Sequence, residues 1–511
     1  MSPQAQSLVQ SVDWLAIAPP TIAAVVGLVV LVADLFVGDN RKTLLGWVSV
    51  AGLAVAGLAL LPLLDGDRST FCLTGDADVC SYTADRFTLV IQFLVLGGAL
   101  LAALLSMTAL KDAGKEAGKD ADKSLPEGEF WFLLLSSAAG AALLPASRDL
   151  ATLIVALEVA SLPAFALVGI KHGDRKSSEA ALKFFLSSVT ATAVSLMGVS
   201  FVYASTGTLY LTEIATRIED VDAQLHTLAQ AGVVLTLVGF AFKTAAVPFH
   251  FWVPDTYVGA PLPVAAYLSV VGKAVGFSGL ILVTVIALPS YADVWGPALA
   301  ALAALTMTIG NVGALRQRST RAYSAVRLLA WSSVGQAGYL LVPIAAAAYS
   351  KDAEKAIGST VAYALMYAAV NLGAFAVAAL VARTKPLNRI SDYRGLYASR
   401  PLAALVLGFF LLCLAGLPPG IIGLFAKVTV FSAAVEAGLG WLAVVMAVNV
   451  VIALFYYLQW TTLLFRAPDG EPESHRVPAP LTVAIALTAV LGVALSGAPQ
   501  LILRFSDTGL F

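Results

Sequence analysis

The sequence predicts an all-α, polytopic membrane protein with about fourteen transmembrane helices. Of its 511 residues, 59% are hydrophobic and only 12% are charged, and the mean hydropathy is +0.85. About a quarter of the residues in a soluble domain are charged, so this composition is typical of a chain embedded in lipid. Apolar runs of about 20 residues, the length of a membrane-spanning helix, follow one another along nearly the whole chain with short loops between them.

One helix is predicted for each apolar run, with ends placed to within a few residues. Nearly the whole chain is assigned to the membrane in this way, and the sequence predicts no separate soluble domain. The fourteen predicted helices span 20–37, 42–64, 87–110, 129–147, 150–170, 178–206, 227–249, 260–288, 295–315, 328–347, 357–382, 401–435, 438–465 and 479–503.

Lysine and arginine are distributed unevenly over the predicted loops, which indicates the orientation of the helices. The odd-numbered loops contain 20 of the 31 basic residues, whereas the even-numbered loops and the C-terminus contain 7. Because basic loops tend to remain in the cytoplasm, we expect the odd loops to be cytoplasmic and both termini to be extracytoplasmic. No cleavable signal pattern precedes the first apolar run.

Composition and motifs argue against several kinds of chemistry for this chain. The net charge of −1 provides no basic field for nucleic acid, and the sequence contains no nucleotide-binding GxGxxG or Walker motif. There are three cysteines, Cys72, Cys80 and Cys413, whereas an iron–sulfur cluster usually needs four thiolates. We therefore expect the chain to bind no cofactor and no metal, and its source of energy to lie in other proteins.

Two of the cysteines share one predicted extracytoplasmic loop, FCLTGDADVC. Cys72 and Cys80 could form a disulfide there, because thiols are oxidised outside the cytoplasm. The alternative is that both cysteines are free, and the sequence leaves the choice open.

Six acidic or basic residues lie inside predicted helices, more than two residues from either end. A charge at the centre of such a helix costs about 2.5–3.5 kcal/mol and usually marks an ion or proton path. Glu158 lies near the middle of its helix, too far from either end for its short side chain to reach water. The alternative for Glu158 is a carboxyl that only hydrogen-bonds to a neighbouring helix. Lys183 has a simple explanation, since Glu179 precedes it by one turn and its long side chain can reach the interface. The six residues are Asp34, Glu158, Lys183, Lys243, Lys273 and Lys427.

Lys243 and Lys273 have no such simple explanation. Lys243 is flanked by apolar or small residues for more than a turn on both sides, and Lys273 lies about half-way along its helix. Gly272 and Gly276 are expected to let another helix approach Lys273 closely. A lysine removed from water loses its proton more readily, so it can both accept and release protons. The alternative for each is a lysine that is permanently paired with one carboxylate.

Lys427 follows a helix break. The sequence GLPPG interrupts its helix about two turns earlier, and a broken helix is tolerated in a membrane only where protein or water satisfies its backbone groups. GFAFK at 239–243 and GLFAK at 423–427 each place a lysine beside such a break, on helices predicted to run in opposite directions. The similarity is a weak indication of two inverted repeats. Transporters whose sites lie at the midplane of the membrane have this architecture.

Together these charges predict a transporter with a relay across the middle of the bilayer. We refer to Glu158, Lys243, Lys273 and Lys427 as the relay residues. Protons are the favoured cargo, because a lysine carries a proton by titrating, whereas a row of ammonium groups repels metal cations and offers none of the oxygen ligands that they need.

The sequence from Lys243 to Lys273 resembles that of the antiporter-like membrane subunits of respiratory complex I. The resemblance is strongest in KTAAVPFHFWVPDTYVGAPLP, which begins at Lys243, and it extends over roughly 145–460. Other stretches that carry it are RDLATLIVALEVASLP around Glu158, EAALKFFL around Lys183, RLLAWSSVGQAGYLL from Arg327, DYRGLYASRP from Asp392, GLPPGIIGLFAK ending at Lys427 and NVVIALFYYLQW from Asn449.

The resemblance implies a proton-translocating subunit of NADH:quinone oxidoreductase in a bacterial cell membrane. Glu158 and Lys243 would form the coupled pair of the first half-channel, Lys273 the central link, and Lys427 the outer lysine that releases the proton. Electron transfer from NADH to quinone would take place in other subunits. The partners of the chain would be other membrane subunits of complex I and the lipid bilayer.

The resemblance also implies two inverted five-helix repeats, with discontinuous helices 7 and 12. The corresponding divisions of the chain are 1–125 for helices 1–3, 126–290 for the first repeat with helices 4–8, 291–466 for the second repeat with helices 9–13, and 467–511 for helix 14.

Some positions depart from the family pattern, and other functions stay open. Gln336 replaces a frequent histidine, Gln459 an expected arginine and Ser188 an expected glycine. His250 is a further candidate for the relay, although a lone histidine after a helix break is more often an interfacial hydrogen-bonding residue. One alternative function is a subunit of a related multi-subunit Na⁺/H⁺ antiporter, and another is a membrane scaffold. Three costly central lysines argue against the scaffold, which gains nothing from them.

Overall fold

The structure is a computed structural model in which the apolar runs form a bundle of α-helices. It describes residues 12–38, 41–76, 78–117, 125–468, 476–506 and 509–511. Within these ranges, twelve helices are long and apolar enough to cross a membrane, and two shorter apolar helices, Ala18–Asp34 and Pro401–Ala415, accompany them. Each of the fourteen predicted runs contains helix, so the all-α membrane fold is confirmed, while the number that crosses the membrane stays a prediction. The α-helices are α1 (Ala18–Asp34), α2 (Thr43–Leu58), α3 (Arg86–Ala117), α4 (Glu127–Leu143), α5 (Leu150–Val168), α6 (Arg175–Thr206), α7 (Leu211–Arg217), α8 (His226–Thr244), α9 (Trp252–Gly259), α10 (Leu262–Ile281), α11 (Ala292–Leu315), α12 (Ser324–Ala347), α13 (Ala353–Ala382), α14 (Leu396–Ser399), α15 (Pro401–Ala415), α16 (Ile421–Glu436), α17 (Gly440–Leu464), α18 (Ala479–Gly497) and α19 (Gln500–Leu503).

Two of the predicted helices are discontinuous, as expected. The predicted helix 227–249 ends as α8 at Thr244, and the chain becomes α-helical again only at Trp252, in α9. The predicted helix 401–435 is divided into α15 and α16 by residues 416–420. Proline and glycine lie at both breaks, and neither residue type favours the interior of a helix.

The two breaks end their first half-helix in the same way. Ala245 (φ 70°) and Gly416 (φ 84°) adopt the left-handed backbone conformation that commonly follows a helix C-terminus. Gly416 adopts it without steric cost, whereas Ala245 carries a Cβ and is therefore the more strained of the two. At the first break the backbone N–H of Val247 donates to Thr306 Oγ1 on α11 at 2.9 Å, so that the protein itself satisfies a backbone group released by the break.

Three helices form the interior of the bundle. In the spans that contain α10, α12 and α13, buried residues make up 89%, 94% and 89%. By contrast, α17 and α18 are only 33% and 22% buried, and their exposed side chains are mainly apolar, as expected for helices that face lipid. Polar groups on the interior helices must therefore find their partners within the protein.

A short β-hairpin that was not predicted lies between α2 and α3. Strand β1 (Arg68–Cys72) pairs antiparallel with strand β2 (Cys80–Ala84), and Cys72 lies directly opposite Cys80. The two cysteines form a disulfide across the strands. Of the two alternatives that the sequence leaves open, the structure therefore contains the bonded one.

The simple explanation for Lys183 is confirmed, and it is incomplete. Its Nζ pairs with Glu179 Oε1 at 2.7 Å, and the lysine side chain is half-exposed. It also pairs with Asp255 Oδ2 at 3.0 Å, and Asp255 pairs in turn with Arg327 at 3.3 Å. Asp255 belongs to α9, so these ion pairs connect the helix after the first break to both α6 and α12.

Asp34 has a similarly local explanation. It is the last residue of α1, and its carboxylate lies 3.6 Å from Lys42 Nζ at the start of α2. The pair joins two consecutive helices, so Asp34 is not part of the charged centre described next.

Candidate functional site

Lys243 lies at the C-terminal end of the first half-helix and is almost completely enclosed. It is 2% exposed, and α8 ends one residue later because the chain turns into the left-handed conformation at Ala245. Its Nζ donates a hydrogen bond to Ser161 Oγ on α5 at 2.7 Å. The carbonyl groups at the end of a helix form the negative pole of its dipole, which favours a cation at this position.

Aromatic side chains cover Lys243 as well. Lys243 Nζ lies 5.6 Å from the centre of the Phe184 ring, within the range of a cation–π contact. Trp252, the first residue of α9, stacks on Phe184 with ring centres 4.3 Å apart and donates from its indole N–H to the carbonyl of Phe242 at 3.3 Å. The chain after the break therefore folds back over the end of α8 and shields the ammonium group.

Glu158 lies close to Lys243 without forming an ion pair with it. The carboxylate is partly buried on α5 and accepts a hydrogen bond from Thr192 Oγ1 of α6 at 2.6 Å. Among the described residues, no basic side chain lies within 4.0 Å of it. Ser161, the partner of Lys243, lies one helical turn after Glu158, so both face the same side of α5.

Lys273 is the most isolated of the relay residues. It is 2% exposed at the middle of α10, and its ammonium group makes no hydrogen bond or ion pair with any residue that the structure describes. Neither Lys243 nor Lys273 is therefore paired with a carboxylate in the described part of the chain, contrary to the alternative considered from the sequence.

The two glycines beside Lys273 differ, although the sequence suggested the same role for both. A Cβ added at Gly276 would lie 2.4 Å from the backbone nitrogen of Thr244, so Gly276 does allow the close approach of α8. At Gly272 an added Cβ would meet nothing within 4 Å. The prediction of close packing is confirmed for Gly276 and wrong for Gly272, which instead borders open space inside the protein.

Polar side chains of α10, α12 and α13 meet next to Lys273. Asn371 Nδ2 donates to Ser269 Oγ at 2.6 Å, and Ser269 precedes Lys273 by one turn. Tyr367 donates to Ser333 Oγ at 2.8 Å and to the Ser269 carbonyl at 3.1 Å. Asn371 Oδ1 is buried and has no partner among the described residues, so this cluster contains an acceptor that remains available for a hydrogen bond.

Lys427 is bound to the end of a half-helix. It is 4% exposed on α16, and its Nζ donates to the carbonyls of Leu414 and Ala415 at 2.8 Å each. These are the last residues of α15, whose carbonyl groups have no partner within the helix. Lys427 therefore caps the C-terminus of α15 from the other side of the break, where the helix dipole favours its charge.

Gln336 connects the surroundings of Lys427 to two tyrosines. Its Oε1 accepts a short hydrogen bond from the hydroxyl of Tyr363. Its Nε2 donates to Tyr457 Oη at 3.2 Å and, more weakly, to the Leu414 carbonyl at 3.5 Å. Because Leu414 also accepts from Lys427, the glutamine shares a hydrogen-bond acceptor with that lysine.

The contacts of His250 do not join it to the relay residues. Its ring is partly buried, with the ring centre 5.6 Å from that of Trp331. Its Nδ1 is buried without a partner among the described residues. No hydrogen bond or ion pair links it to the relay residues within the described ranges.

The hydroxyl and amide partners of the relay residues were not identified from the sequence. One signal was present: Tyr363, Tyr367 and Asn371 recur every four residues along α13, which places them on one face of a helix. Ser161 and Thr192 offer no such pattern, since serine and threonine are frequent in membrane helices and often bond only to their own backbone. Within the described residues, no group of three histidine, cysteine or acidic side chains could hold a metal ion.

Discontinuous membrane helices that meet at a buried polar site are typical of membrane transporters. This chain has two such helices, and a buried lysine lies at the end of a half-helix at each break. The comparison with known families identifies this class further. The family described as NADH:quinone oxidoreductase/Mrp antiporter, TM, matches residues 147–453, and the chain belongs to it.

Individual relatives agree with this assignment. The chain is 73% identical to NADH-quinone oxidoreductase subunit N 2 of Streptomyces griseus subsp. griseus, over all of this chain and 96% of that protein. The name of this relative agrees with the resemblance of the segment after Lys243 to membrane subunits of complex I. A chain of respiratory complex I from Thermus thermophilus has a similar structure, with a TM-score of 0.74, 30% sequence identity and 95% of this chain covered (98% of that chain).

The same fold occurs in a second kind of complex. A chain of the Mrp complex from Dietzia sp. DQ12-45-1b has a TM-score of 0.77 over 96% of both chains, with 22% sequence identity. At that identity the likeness concerns the fold alone.

Proposed function

We propose that this chain is a proton-translocating membrane subunit of bacterial respiratory complex I. Its near relatives are named as subunits of NADH-quinone oxidoreductase, and its family includes the antiporter-like membrane subunits. One structural observation supports the proposal above all others. Lys243, Lys273 and Lys427 are each at most 4% exposed, and none pairs with a carboxylate within 4.0 Å in the described part of the chain.

Lysines buried in this way are suited to carrying protons. A permanent charge in the membrane interior is costly unless it is paired, whereas a lysine can lose its proton and become neutral. The surroundings of the three lysines stabilise a charge to different degrees. Two helix-end carbonyls contact Lys427, one hydroxyl contacts Lys243, and no hydrogen-bonding group contacts Lys273 among the residues described. Lys273 is therefore the member best suited to pass a proton on quickly.

The proposed path runs from the Glu158–Lys243 pair through Lys273 to Lys427. Close packing at Gly276 brings α8 against α10 beside Lys243. From Lys273 the path continues through Ser269 and Asn371 to α12, which the cluster reaches through Ser333. On α12, Gln336 shares the Leu414 carbonyl with Lys427. Gln336 is an amide and does not titrate, so protons would pass it through reorientation of hydrogen bonds or through water.

In this proposal the chain is a non-redox part of a translocating enzyme. Other subunits would oxidise NADH and reduce quinone, and this chain would bind no cofactor of its own. Its partners would be the other membrane subunits of complex I together with the lipid bilayer. Both chain termini would lie on the extracytoplasmic side, as the distribution of lysine and arginine indicates.

A subunit of a multi-subunit Na⁺/H⁺ antiporter is the alternative, and it has less support. The chain shares its fold with a chain of the Mrp complex at 22% identity, whereas it shares 73% of its residues with a subunit of NADH-quinone oxidoreductase. Purification of the tagged chain from native membranes distinguishes the two. Co-purification of NADH dehydrogenase subunits is expected, and their absence would rule out the proposed function.

Lys243→Ala tests the relay itself. We expect proton pumping and quinone-linked turnover to fall together, by about 100-fold or more, because a blocked proton step stalls the electron transfer that is coupled to it. The measurement is NADH-driven acidification of inverted membrane vesicles, alongside quinone reduction by the same vesicles. Full turnover with an unchanged proton stoichiometry would show that the lysine has only a structural role.

A further inference from the structure

Glu158 and Lys243 each form a hydrogen bond with a different hydroxyl group. Lys243 Nζ donates to Ser161 Oγ at 2.7 Å, and Thr192 Oγ1 donates to Glu158 Oε1 at 2.6 Å. Both hydroxyl residues are buried, with exposures of 1% and 8%. The carboxylate and the ammonium group carry opposite charges in a low-dielectric interior, yet they do not come within 4.0 Å of each other.

The two charged groups lie at neighbouring positions along α5. Ser161 lies one turn after Glu158 on the same face of α5, where the Cβ atoms of such residues are about 5–6 Å apart. Lys243 Nζ binds α5 one helical turn from Glu158, so a change in the rotamer of the flexible lysine is the movement that would bring the two charges together. Since attraction between opposite charges is strong in a low-dielectric site, the hydroxyl groups must compete with it to maintain the observed arrangement.

The hydrogen bonds of each hydroxyl group fix its role. Ser161 Oγ donates its own hydrogen to the Leu157 carbonyl at 2.6 Å, so its lone pairs are directed to accept from the lysine. Thr192 has the opposite role, because it uses its only hydrogen on the carboxylate. One hydroxyl is thus an acceptor for the cation and the other is a donor for the anion, as each charge requires.

We infer that Ser161 and Thr192 are positioning residues, which keep Glu158 and Lys243 dissociated so that Lys243 can pass its proton on towards Lys273. The inference rests on the proposed function of the relay. The step moves one proton: an N–H bond of the Lys243 ammonium breaks, the neutral amine remains, and the proton goes to the next acceptor without any change of oxidation state. Loss of either hydroxyl would let the ion pair close, and a lysine paired with a carboxylate keeps its proton.

The charged groups that bear on Lys243 are few. Glu158 on α5 and Lys273 on α10 are the titratable relay residues on the helices around it, and the groups of α6 nearest to it, Thr192 and the ring of Phe184, do not titrate. Lys183 and Glu179 of α6 and Asp255 of α9 also carry charges, and they form ion pairs with one another that do not include Ser161 or Thr192. A change in pH dependence on removal of a hydroxyl group would therefore report on the relay pair.

The test uses Ser161→Ala and Thr192→Val in the complete complex, in inverted membrane vesicles. Removing a hydrogen bond to a charged group should shift the equilibrium towards the closed ion pair by about tenfold or more. We expect quinone-linked turnover and proton pumping at neutral pH to fall by a similar factor, and the alkaline limb of the pH–rate profile to move to higher pH. Ser161→Thr and Thr192→Ser keep the hydroxyl and should restore the profile.

Two control variants remove hydroxyl groups that bond only to their own helix. Ser49 is buried and donates to the Leu45 carbonyl at 2.9 Å, and Thr190 donates to the Leu186 carbonyl at 2.8 Å. Ser49→Ala and Thr190→Val should leave the pH profile unchanged. If Ser161→Ala fails to assemble, Ser161→Cys is the replacement of similar size, because a thiol is a weak hydrogen-bond acceptor and should produce the same shift.

The outcomes separate this inference from the proposed function when Lys243→Ala is measured in parallel. If Lys243→Ala is inactive while the assembled Ser161 and Thr192 variants keep the wild-type profile, the positioning role is refuted and the relay stands. If Lys243→Ala is fully active, the relay and the positioning role fail together. A loss of activity with no shift of the profile, or a shift that the control variants share, would also refute the positioning role.

Discussion

Gly276→Ala should separate α8 from α10 beside Lys243 and impair proton transfer. The added Cβ would lie 2.4 Å from both N and Oγ1 of Thr244 and 2.8 Å from the carbonyl carbon of Lys243, whereas ordinary contacts begin at 3.4 Å. The two helices must therefore move apart by about 1 Å, the difference between those distances. Overpacking of this kind costs about 1–3 kcal/mol, and a displacement of about 1 Å at a reacting group can cost about 100-fold in rate.

Gly272→Ala is the matched control, because it makes the same chemical change one turn earlier on the same helix. An added Cβ there would meet nothing within 4 Å. Both variants are assayed for the amount of assembled complex, for its thermal inactivation, and for NADH-driven proton pumping. We expect a loss of stability and pumping for Gly276→Ala and nearly wild-type behaviour for Gly272→Ala. Equal effects of the two variants would refute the packing described for this helix pair.

Two further predictions concern residues around the relay. Lys183→Gln should be much milder than Lys243→Ala in the vesicle assay, because Lys183 is half-exposed and its ion pairs are each worth about 0.2–1 kcal/mol; a loss of pumping as large as that of Lys243→Ala would contradict its structural role. Gln336→Leu should leave the hydroxyl group of Tyr363 without its amide acceptor, at a cost of about 1–3 kcal/mol, whereas the Tyr457 hydroxyl keeps its hydrogen bond with Ser332. It should therefore lower the thermal inactivation temperature of the complex, and an unchanged temperature would show that the amide is dispensable.

Local features of the chain were predictable because their causes lie within a few neighbouring residues. The pair of Glu179 and Lys183 follows from the spacing of one helical turn, and it is present in the structure. The breaks after Thr244 and Ala415 follow from the prolines and glycines that lie there. The division into two inverted repeats stays a prediction, as does the orientation of the termini.

Contacts between distant segments could not be predicted from the sequence, even where the local pattern was clear. Gly272 and Gly276 are alike in sequence context, yet one borders open space and the other touches the backbone of α8. The second ion pair of Lys183, with Asp255, joins residues 72 positions apart. The β-hairpin and its disulfide also depended on the folded chain, because the pairing of Cys72 with Cys80 required the register of two strands.

The sequence by itself determined that this protein resides in a membrane, approximately where its helices lie, and which charges remain among them. The physical reason is that hydropathy, and the cost of a charge in lipid, belong to each residue and can be read at its position. Only the tertiary structure decided the partner of each charge: Ser161 for Lys243, Thr192 for Glu158, and the end of α15 for Lys427. A hydrogen bond belongs to a pair of groups, and the packing of helices far apart in the chain determines which pairs meet.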